Sequence, residues 1–190
     1  MRNIRQTLPL DPMTPDKAPK NIRRLIPTDA MQYRTMMLEA YERHPDAFTS
    51  TVSERAAVPM SWWEARIKDD SNANDMVLGA FQGSCLTGVA GLSFESREKA
   101  RHKAHLFGMY VPSANRKSGI GKGLVLAVLE HARRRAGVKL VQLTVTHGNT
   151  AAQGLYERCG FVPFGVEPLA IAVGLDYVSK VHMWCNLRVD

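Results

Sequence analysis

The apolar positions of this chain change their period from segment to segment, and each period predicts a different element. In the segment 139–146, Val141, Leu143 and Val145 alternate with polar residues, which is typical of a β-strand with one buried face. Between residues 121 and 136 the apolar residues recur every three or four positions, which predicts an amphipathic helix. A fold that mixes strands and helices is therefore expected.

The same patterns, together with turn and capping residues, give the other elements. Helices are expected at residues 30–43, from Ser61 onward and at residues 150–159. Residues 48–58 are expected to form a loop. Strands are expected at residues 22–27, 76–81, 85–94, 105–111, 164–173 and 180–187. The helix at 121–136 should connect the strands on either side of it as a right-handed parallel crossover.

Length and composition predict one domain preceded by a tail. A chain of 190 residues is long enough for one well-buried domain, and two would be cramped. Four prolines fall within the first 19 residues, so residues 1–20 are expected to be a flexible tail before a single domain at 21–190. No segment approaches the roughly 18–20 apolar residues of a membrane span, and a signal peptide is not recognisable. Three widely spaced cysteines fit neither a disulfide framework nor a zinc site, which favours a cytoplasmic protein without a bound metal.

The net charge of +7 is concentrated in one part of the chain. Residues 97–139 contain 11 Lys/Arg and 2 Asp/Glu, which favours an anionic ligand. Nucleic acid is not expected as that ligand, because no nucleic-acid-binding module is recognisable and aromatic residues do not alternate with the basic ones. Residues 24–96 contain 6 Lys/Arg against 10 Asp/Glu, and such an acidic region would suit a cationic amine.

The segment 109–123 combines the end of a strand, a glycine-rich turn and the start of a helix. The first turn of a helix leaves backbone N–H groups without partners and carries partial positive charge, and glycine lets a phosphate approach those groups. The spacing does not fit a Walker loop, because Arg116 stands where its first glycine would be and Gly123 where a hydroxyl would be. It does not fit a dinucleotide fingerprint, because the third glycine is missing. The segment is therefore expected to hold the phosphate of another ligand.

A second motif lies beyond the next predicted strand. Residues 148–161 contain Asn149, Ala152, Tyr156, Gly160 and Phe161 in the spacing Asn-x-x-Ala-x-x-x-Tyr-x-x-x-Gly-Phe. The first motif reads Arg116-x-x-Gly119-x-Gly121. In this order the two motifs resemble the acetyl-coenzyme A site of the GNAT N-acetyltransferases, and the resemblance extends over roughly residues 21–190.

This resemblance implies a fold and an activity. The fold would be α/β in the broad sense (α+β), with a mixed, mostly antiparallel sheet, a central splayed pair of parallel strands and helices on both faces. The activity would be direct transfer of an acetyl group from acetyl-coenzyme A (acetyl-CoA) to a primary amine of a small molecule or protein, and a homodimer would be compatible with it. Two alternatives stay open: an acyl-CoA-binding sensor without catalysis, and a basic nucleic-acid-binding protein.

The resemblance also implies roles for particular residues. The residues that would bind acetyl-CoA are Met109, Tyr110, Val111, Arg116, Lys117, Ser118, Gly119, Ile120, Gly121, Lys122, Asn149 and Tyr156. The hydroxyl of Tyr156 would protonate the departing thiolate, and the backbone N–H of Met109 would stabilise the oxyanion. The stretch 177–183 would lie near the acceptor amine, with Tyr177 and Trp184 as contacts.

The general base is not identified by the sequence. The attacking amine must be neutral, whereas a lysine-like amine is mostly protonated at neutral pH. Many members of the GNAT family use a carboxylate on the strand before the loop as the general base, but the strand at 105–111 of this chain contains none. The candidates are therefore His105, Glu95, His147, Tyr110 and a water molecule.

Overall fold

The computed structural model describes residues 21–70 and 72–187, and the predicted tail at residues 1–20 lies outside them. The strands are β1 (Ile22–Arg24), β2 (Asp75–Gln82), β3 (Cys85–Phe94), β4 (Lys103–Tyr110), β5 (Leu140–Thr146), β6 (Val162–Val173) and β7 (Asp176–Asn186). The α-helices are α1 (Ala30–Arg43), α2 (Val52–Ala57), α3 (Met60–Arg66), α4 (Ile120–Arg134) and α5 (Thr150–Arg158). Among the described residues, no helix is both long and apolar enough to cross a membrane.

All of these strands belong to one mixed sheet. Their spatial order is β1-β2-β3-β4-β5-β7-β6, and every neighbouring pair is antiparallel except β4 and β5. Parallel neighbours need a long crossover, and α4 provides it between β4 and β5. The parallel crossover through α4 and the predicted mostly antiparallel sheet are therefore confirmed.

Each face of the sheet carries its own apolar core. On one face, a stripe of α4 packs against apolar residues of β2, β3, β4, β5 and β7. The buried stripe includes Leu124, Val125, Val128, Leu129 and Ala132, as the periodicity predicts. On the other face, α1 and α3 pack against β2, β3 and the end of β4, and Trp63 is completely buried there. The sheet is thus covered by helices on both faces.

The parallel pair separates after its first few residues. β4 and β5 are in register only from Lys103 to His105 on β4, although β4 continues to Tyr110 and β5 to Thr146. A β-bulge lies within the separated part of β4, and Gly108 there adopts a φ of 55°, in the left-handed region that favours glycine. The predicted splay of the central pair is therefore confirmed, and it leaves an opening between the two strands.

Three parts of the chain differ from the sequence-based expectations. The strand expected at residues 22–27 ends at Arg24, because Pro27 begins a short 3-10 helix at Pro27–Asp29. The segment 48–58 is not simply a loop, because it contains α2, which begins with a capping box between Thr51 and Glu54. This helix has six residues and buries none of them, so no apolar period reveals it. The last two strands are longer than expected, since β6 begins at Val162 and β7 at Asp176.

Candidate functional site

The separation of β4 and β5 creates a cavity of about 260 Å³ between the two strands. Residues 106–109 of β4 and 144–146 of β5 form two walls, and the rest of the lining comes from α5 with its N-cap, from residues 47–49 after α1 and from Lys180 of β7. The cavity brings together three of the predicted site residues, which are Met109, Asn149 and Tyr156. Segments that are far apart in sequence therefore meet where the register of the parallel pair ends.

Tyr156 lies on α5, is buried, and lines the cavity. Its hydroxyl donates a hydrogen bond to Sδ of Met109 at 3.5 Å, and a thioether is a weak acceptor. Burial raises the pKa of Tyr156 to about 12, with a further increase from Cys159. The phenol is therefore protonated at neutral pH and can donate to a stronger acceptor in the cavity.

The β4 wall offers backbone groups rather than charged side chains. A β-bulge leaves an extra residue outside the regular ladder, and the bulge of β4 includes Met109. Gly91 on β3 makes room for this wall, because a Cβ there would lie 2.5 Å from the ring of Phe107. The side chains of Tyr110 and Val111 point into the two cores, so only their backbone groups could contact a ligand.

Asn149 begins α5 and also lines the cavity. Its side-chain oxygen accepts a hydrogen bond from the N–H of Ala152 at 3.1 Å, so it is the N-cap of the helix. The amide nitrogen of the same side chain carries two N–H donors. Capping and contact with a ligand are therefore compatible, and the cap fixes the start of the helix that carries Tyr156.

The glycine-rich loop leads into α4 with free donors at the helix start. Gly119 is the N-cap, with a φ of 84°, and no side chain caps the helix. The N–H of Gly123 donates the first hydrogen bond of the helix, to the carbonyl of Gly119. The N–H groups of Ile120, Gly121 and Lys122 come before it and have no carbonyl partner within the helix. These N–H groups and the positive end of the helix dipole form the arrangement that binds an anion.

Other side chains hold the loop in place. The Ser118 hydroxyl donates to a carbonyl within the loop at 2.6 Å. The Arg116 guanidinium donates to the carbonyl of Val111 at 2.9 Å and lies 3.0 Å from Nε2 of His44, at the end of α1. Arg116 therefore braces the loop against α1.

Gly121 has a packing role in addition to the expected one. A Cβ at Gly121 would lie 3.1 Å from the side chain of Leu155 and 3.4 Å from that of Met109. The missing side chain thus allows α4 to approach α5 and the β4 wall. Lys117, with a φ of 61°, and Lys122 are both exposed and add positive charge around the loop.

None of the four candidate side-chain bases is among the described residues that line the cavity. The Tyr110 hydroxyl donates to the Glu39 carboxylate at 3.1 Å, and burial together with that carboxylate raises the pKa of Tyr110. His105 is half-buried, and burial lowers its pKa. His147 is exposed after β5, and Glu95 forms an ion pair at the turn after β3.

The sequence does not single out Phe48, Thr146 and Lys180, which also line the cavity. Lys180 is buried on β7, and its ammonium donates to the Thr146 hydroxyl at 2.8 Å. No motif contains these residues, and the only signal is the position of Lys180 in the stretch expected near the acceptor. Tyr177 and Trp184 do not line this cavity, since Tyr177 is 62% exposed and Trp184 borders a separate small cavity.

The sequence matches the model of the Acetyltransferase (GNAT) family over residues 37–161. A mycothiol acetyltransferase from Salinispora arenicola is 27% identical over 135 residues, which are 70% of this chain and 41% of that protein. A mycothiol acetyltransferase from Streptosporangium roseum is 44% identical over 57 residues, which are 30% of this chain and 17% of that protein. The chain thus matches less than half of the length of these curated relatives.

Solved structures share the fold. The acetyltransferase of GNAT family from Streptococcus pneumoniae aligns with a TM-score of 0.78 at 23% identity, over 87% of this chain and 98% of that one. A putative acetyltransferase from Salmonella typhimurium, solved with its cofactor acetyl-CoA, aligns with a TM-score of 0.73 at 20% identity, over 90% of this chain and 95% of that one. At this level of identity the similarity concerns the fold.

Proposed function

Because the chain belongs to the GNAT acetyltransferase family, we propose that it transfers an acetyl group from acetyl-CoA to a primary amine by direct attack. The observation that carries this proposal is the buried phenol of Tyr156. Its hydroxyl lines the opening between β4 and β5 and donates to a thioether, which a developing thiolate would readily replace as acceptor. A sensor that only binds an acyl-CoA has no chemical use for such a donor.

The described residues fit acetyl-CoA. The unpaired N–H groups at the start of α4 suit its pyrophosphate, and the separated edge of β4 suits the amide groups of its pantetheine arm. Asn149 and Tyr156 would lie along that arm, and the basic residues around the loop would attract its phosphates. Bound in this way, acetyl-CoA supplies the thioester that the amine attacks.

Two groups of the chain would stabilise the charge that develops in the reaction. The N–H of Met109, in the bulge of β4, would donate to the carbonyl oxygen. Tyr156 would donate to the departing sulfur, and burial, which raises the pKa of Tyr156 to about 12, keeps the phenol protonated for that role. Its hydroxyl would stabilise the negative charge on the leaving thiolate and supply the proton that the thiolate takes up.

The cavity favours an amine that is already partly neutral. Among the described residues that line it, Lys180 carries the only charge and none is a carboxylate, so the acidic residues of the segment 24–96 do not hold a cationic amine here. We expect water to take the proton of the attacking amine. At about pH 7.5, about a third of a peptide α-amine is neutral, against about 0.1% of a lysine ε-amine. The favoured acceptor is therefore an α-amine of a peptide or an amino-acid amide.

An acetyl-transfer screen tests the proposal. Release of the coenzyme A thiol is followed with alanine amide, a short peptide with a free N-terminus, Nα-acetyl-lysine and spermidine as acceptors. We expect the α-amines to exceed Nα-acetyl-lysine in kcat/KM by roughly 200- to 300-fold at about pH 7.5, following their neutral fractions. Thermal stabilisation by coenzyme A without turnover of any amine would instead favour the non-catalytic sensor.

We also propose that the chain forms a homodimer through β6. This strand is an edge of the sheet, and its side chains Phe164 and Val166 are 55% and 58% exposed. An apolar edge strand is usually covered, because its free backbone groups pair with other chains. Light scattering should give a dimer mass for the wild type and a monomer mass for Val166→Lys, and a monomeric wild type would overturn this proposal.

A further inference from the structure

We propose that Lys180 is a positioning residue that holds the segment 46–49 in place as the acceptor-side wall of the cavity. This inference rests on the proposed function, because it concerns the amine acceptor. Two residues of the segment, Phe48 and Thr49, line the cavity directly. Lys180 lies on β7 and is remote from this segment in sequence, but its ammonium contacts the segment's backbone.

The contacts form a small network on backbone carbonyls, which we call the Lys180 clasp. Nζ of Lys180 donates to the carbonyl of Asp46 at 3.1 Å, to the carbonyl of Ala47 at 3.0 Å and to Oγ1 of Thr146 at 2.8 Å. The Thr146 hydroxyl in turn donates to the carbonyl of Asp46 at 2.8 Å. Thr146 and Lys180 are direct cross-strand partners on β5 and β7, so the sheet fixes the positions of both donor residues of the clasp.

The Lys180 clasp uses every donor of the ammonium. A lysine ammonium has three N–H groups and no acceptor, and here each N–H points to a protein oxygen. The residue is only 5% exposed, and hydrogen bonds from a charged donor are stronger than neutral ones. Burial lowers the pKa of Lys180, but hydrogen bonds on all three N–H groups favour the ammonium, and an ammonium saturated in this way neither accepts a proton from an amine nor binds a substrate. Its contribution is the position of the segment that it holds.

The Lys180 clasp lies on the face of the sheet opposite the α4 core. Val145 and Val181 point into the core beneath α4, so their neighbours Thr146 and Lys180 point to the other face. The loop before α4 and the helix α5, which are expected to hold acetyl-CoA, belong to the first face. An amine that attacks the thioester directly must approach from the side that acetyl-CoA leaves open, which is the side of the clasp.

The ring of Phe48 extends the effect of the Lys180 clasp. It packs edge-on against Tyr41 of α1, with the ring centroids 5.0 Å apart. If the carbonyls of Asp46 and Ala47 lose their donors, Phe48 is no longer fixed between α1 and the cavity. The acceptor wall would then adopt several positions, of which only a fraction binds an amine productively.

Three variants and one control test the inference. Lys180→Met removes the ammonium, Thr146→Val removes the hydroxyl, and the double variant removes both. Lys68→Met is the matched control, because Lys68 is exposed and is not among the residues that line the cavity. Amide hydrogen exchange of residues 46–50, affinity for coenzyme A, and kcat and KM for the best amine of the screen (alanine amide if it ranks first) are measured for each.

We expect Lys180→Met to raise the KM of the amine about tenfold. This is the change expected if the variant holds segment 46–49 in its binding-competent position only about a tenth of the time. Coenzyme A affinity should stay within about twofold, and amides 46–50 should exchange faster while those of residues 117–122 do not. The double variant should lose less than the two single losses combined, because both contacts belong to one network. Unchanged hydrogen exchange at residues 46–50, or equal losses of amine binding and coenzyme A binding, would contradict the proposed role of Lys180. Turnover of an amine by the wild type would still support the proposed function in that case. If the wild type acetylates no amine, the proposed function fails, and the acceptor role of Lys180 fails with it.

Discussion

The two sides of the cavity are built from different kinds of contact. The cofactor side, residues 109–123 and 149–161, offers backbone N–H groups at a bulge, at a loop and at a helix start. The proposed acceptor side, residues 46–49 with Thr146 and Lys180, is held by side chains that bridge 100 and 134 positions of the sequence. The first side depends on backbone geometry in two continuous stretches, whereas the second depends on a few long-range contacts.

This difference has a consequence for specificity. Backbone donors recognise phosphate and amide groups whatever the neighbouring side chains are, so the cofactor side tolerates many substitutions outside its glycines and caps. On the acceptor side, a single substitution at Lys180 or Thr146 changes the wall. If the two sides have these roles, we expect proteins of this fold to differ in their acceptor more readily than in their acyl donor.

The largest effect that separates the two sides is expected from Tyr156→Phe. The variant keeps the ring and removes the hydroxyl donor, so kcat should fall by roughly 10- to 10⁴-fold. kcat and kcat/KM should fall together. The free energy of unfolding should change by only about 1 kcal/mol, the contribution of one hydrogen bond. Tyr177→Phe is the control, since Tyr177 is exposed and does not line the cavity. Unchanged turnover in Tyr156→Phe, measured where chemistry limits the rate, would remove the phenol from the mechanism.

A smaller effect, confined to the cofactor side, is expected from Gly119→Val. Gly119 has a φ of 84°, and a β-branched residue at such an angle costs about 1–3 kcal/mol. The loop should relax, and the thermal stabilisation by coenzyme A should be largely lost, while amides 46–50 keep their exchange rates. Gly137→Val imposes the same strain, at a φ of 85°, beyond the other end of α4. An equal loss of coenzyme A binding in both variants would mean that strain alone, and not the loop, is responsible.

The same difference explains what could be predicted from the sequence. Gly119 and Asn149 are helix N-caps and Tyr156 lies at a fixed offset from Asn149 on the same helix, so a linear motif encodes their geometry. The confirmed crossover follows from the apolar periods. The bulge of β4 depends on pairing with β3, which no local pattern around Gly108 reveals. The Lys180 clasp depends on the register of β5 with β7 and on a turn after α1, and a sequence pattern contains neither.

The smallest effect concerns His105, the last residue of β4 in register with β5. Burial lowers its pKa below 6.5, against an opposing effect of Glu95. The unfolded chain therefore binds the proton more readily, and the free energy of unfolding should decrease as the pH falls below the unfolded-state value. Denaturant titrations at about pH 8 and pH 5 should show a smaller decrease in His105→Gln than in the wild type. His131→Gln is the comparison variant, because burial also lowers the pKa of His131 on α4, so a smaller decrease of the same sign is expected there. An identical pH dependence in wild type and His105→Gln would contradict this assignment.

The central claim is that the chain acetylates an amine that reaches the cavity already neutral, with no side chain as general base. The most direct test is the pH dependence of kcat/KM for alanine amide and for a second α-amine of clearly different pKa. Without an enzymatic base, each profile should rise with a slope of one and level off at the pKa of its own amine. A single inflection at the same pH for both amines would reveal an ionising group of the protein and contradict the account.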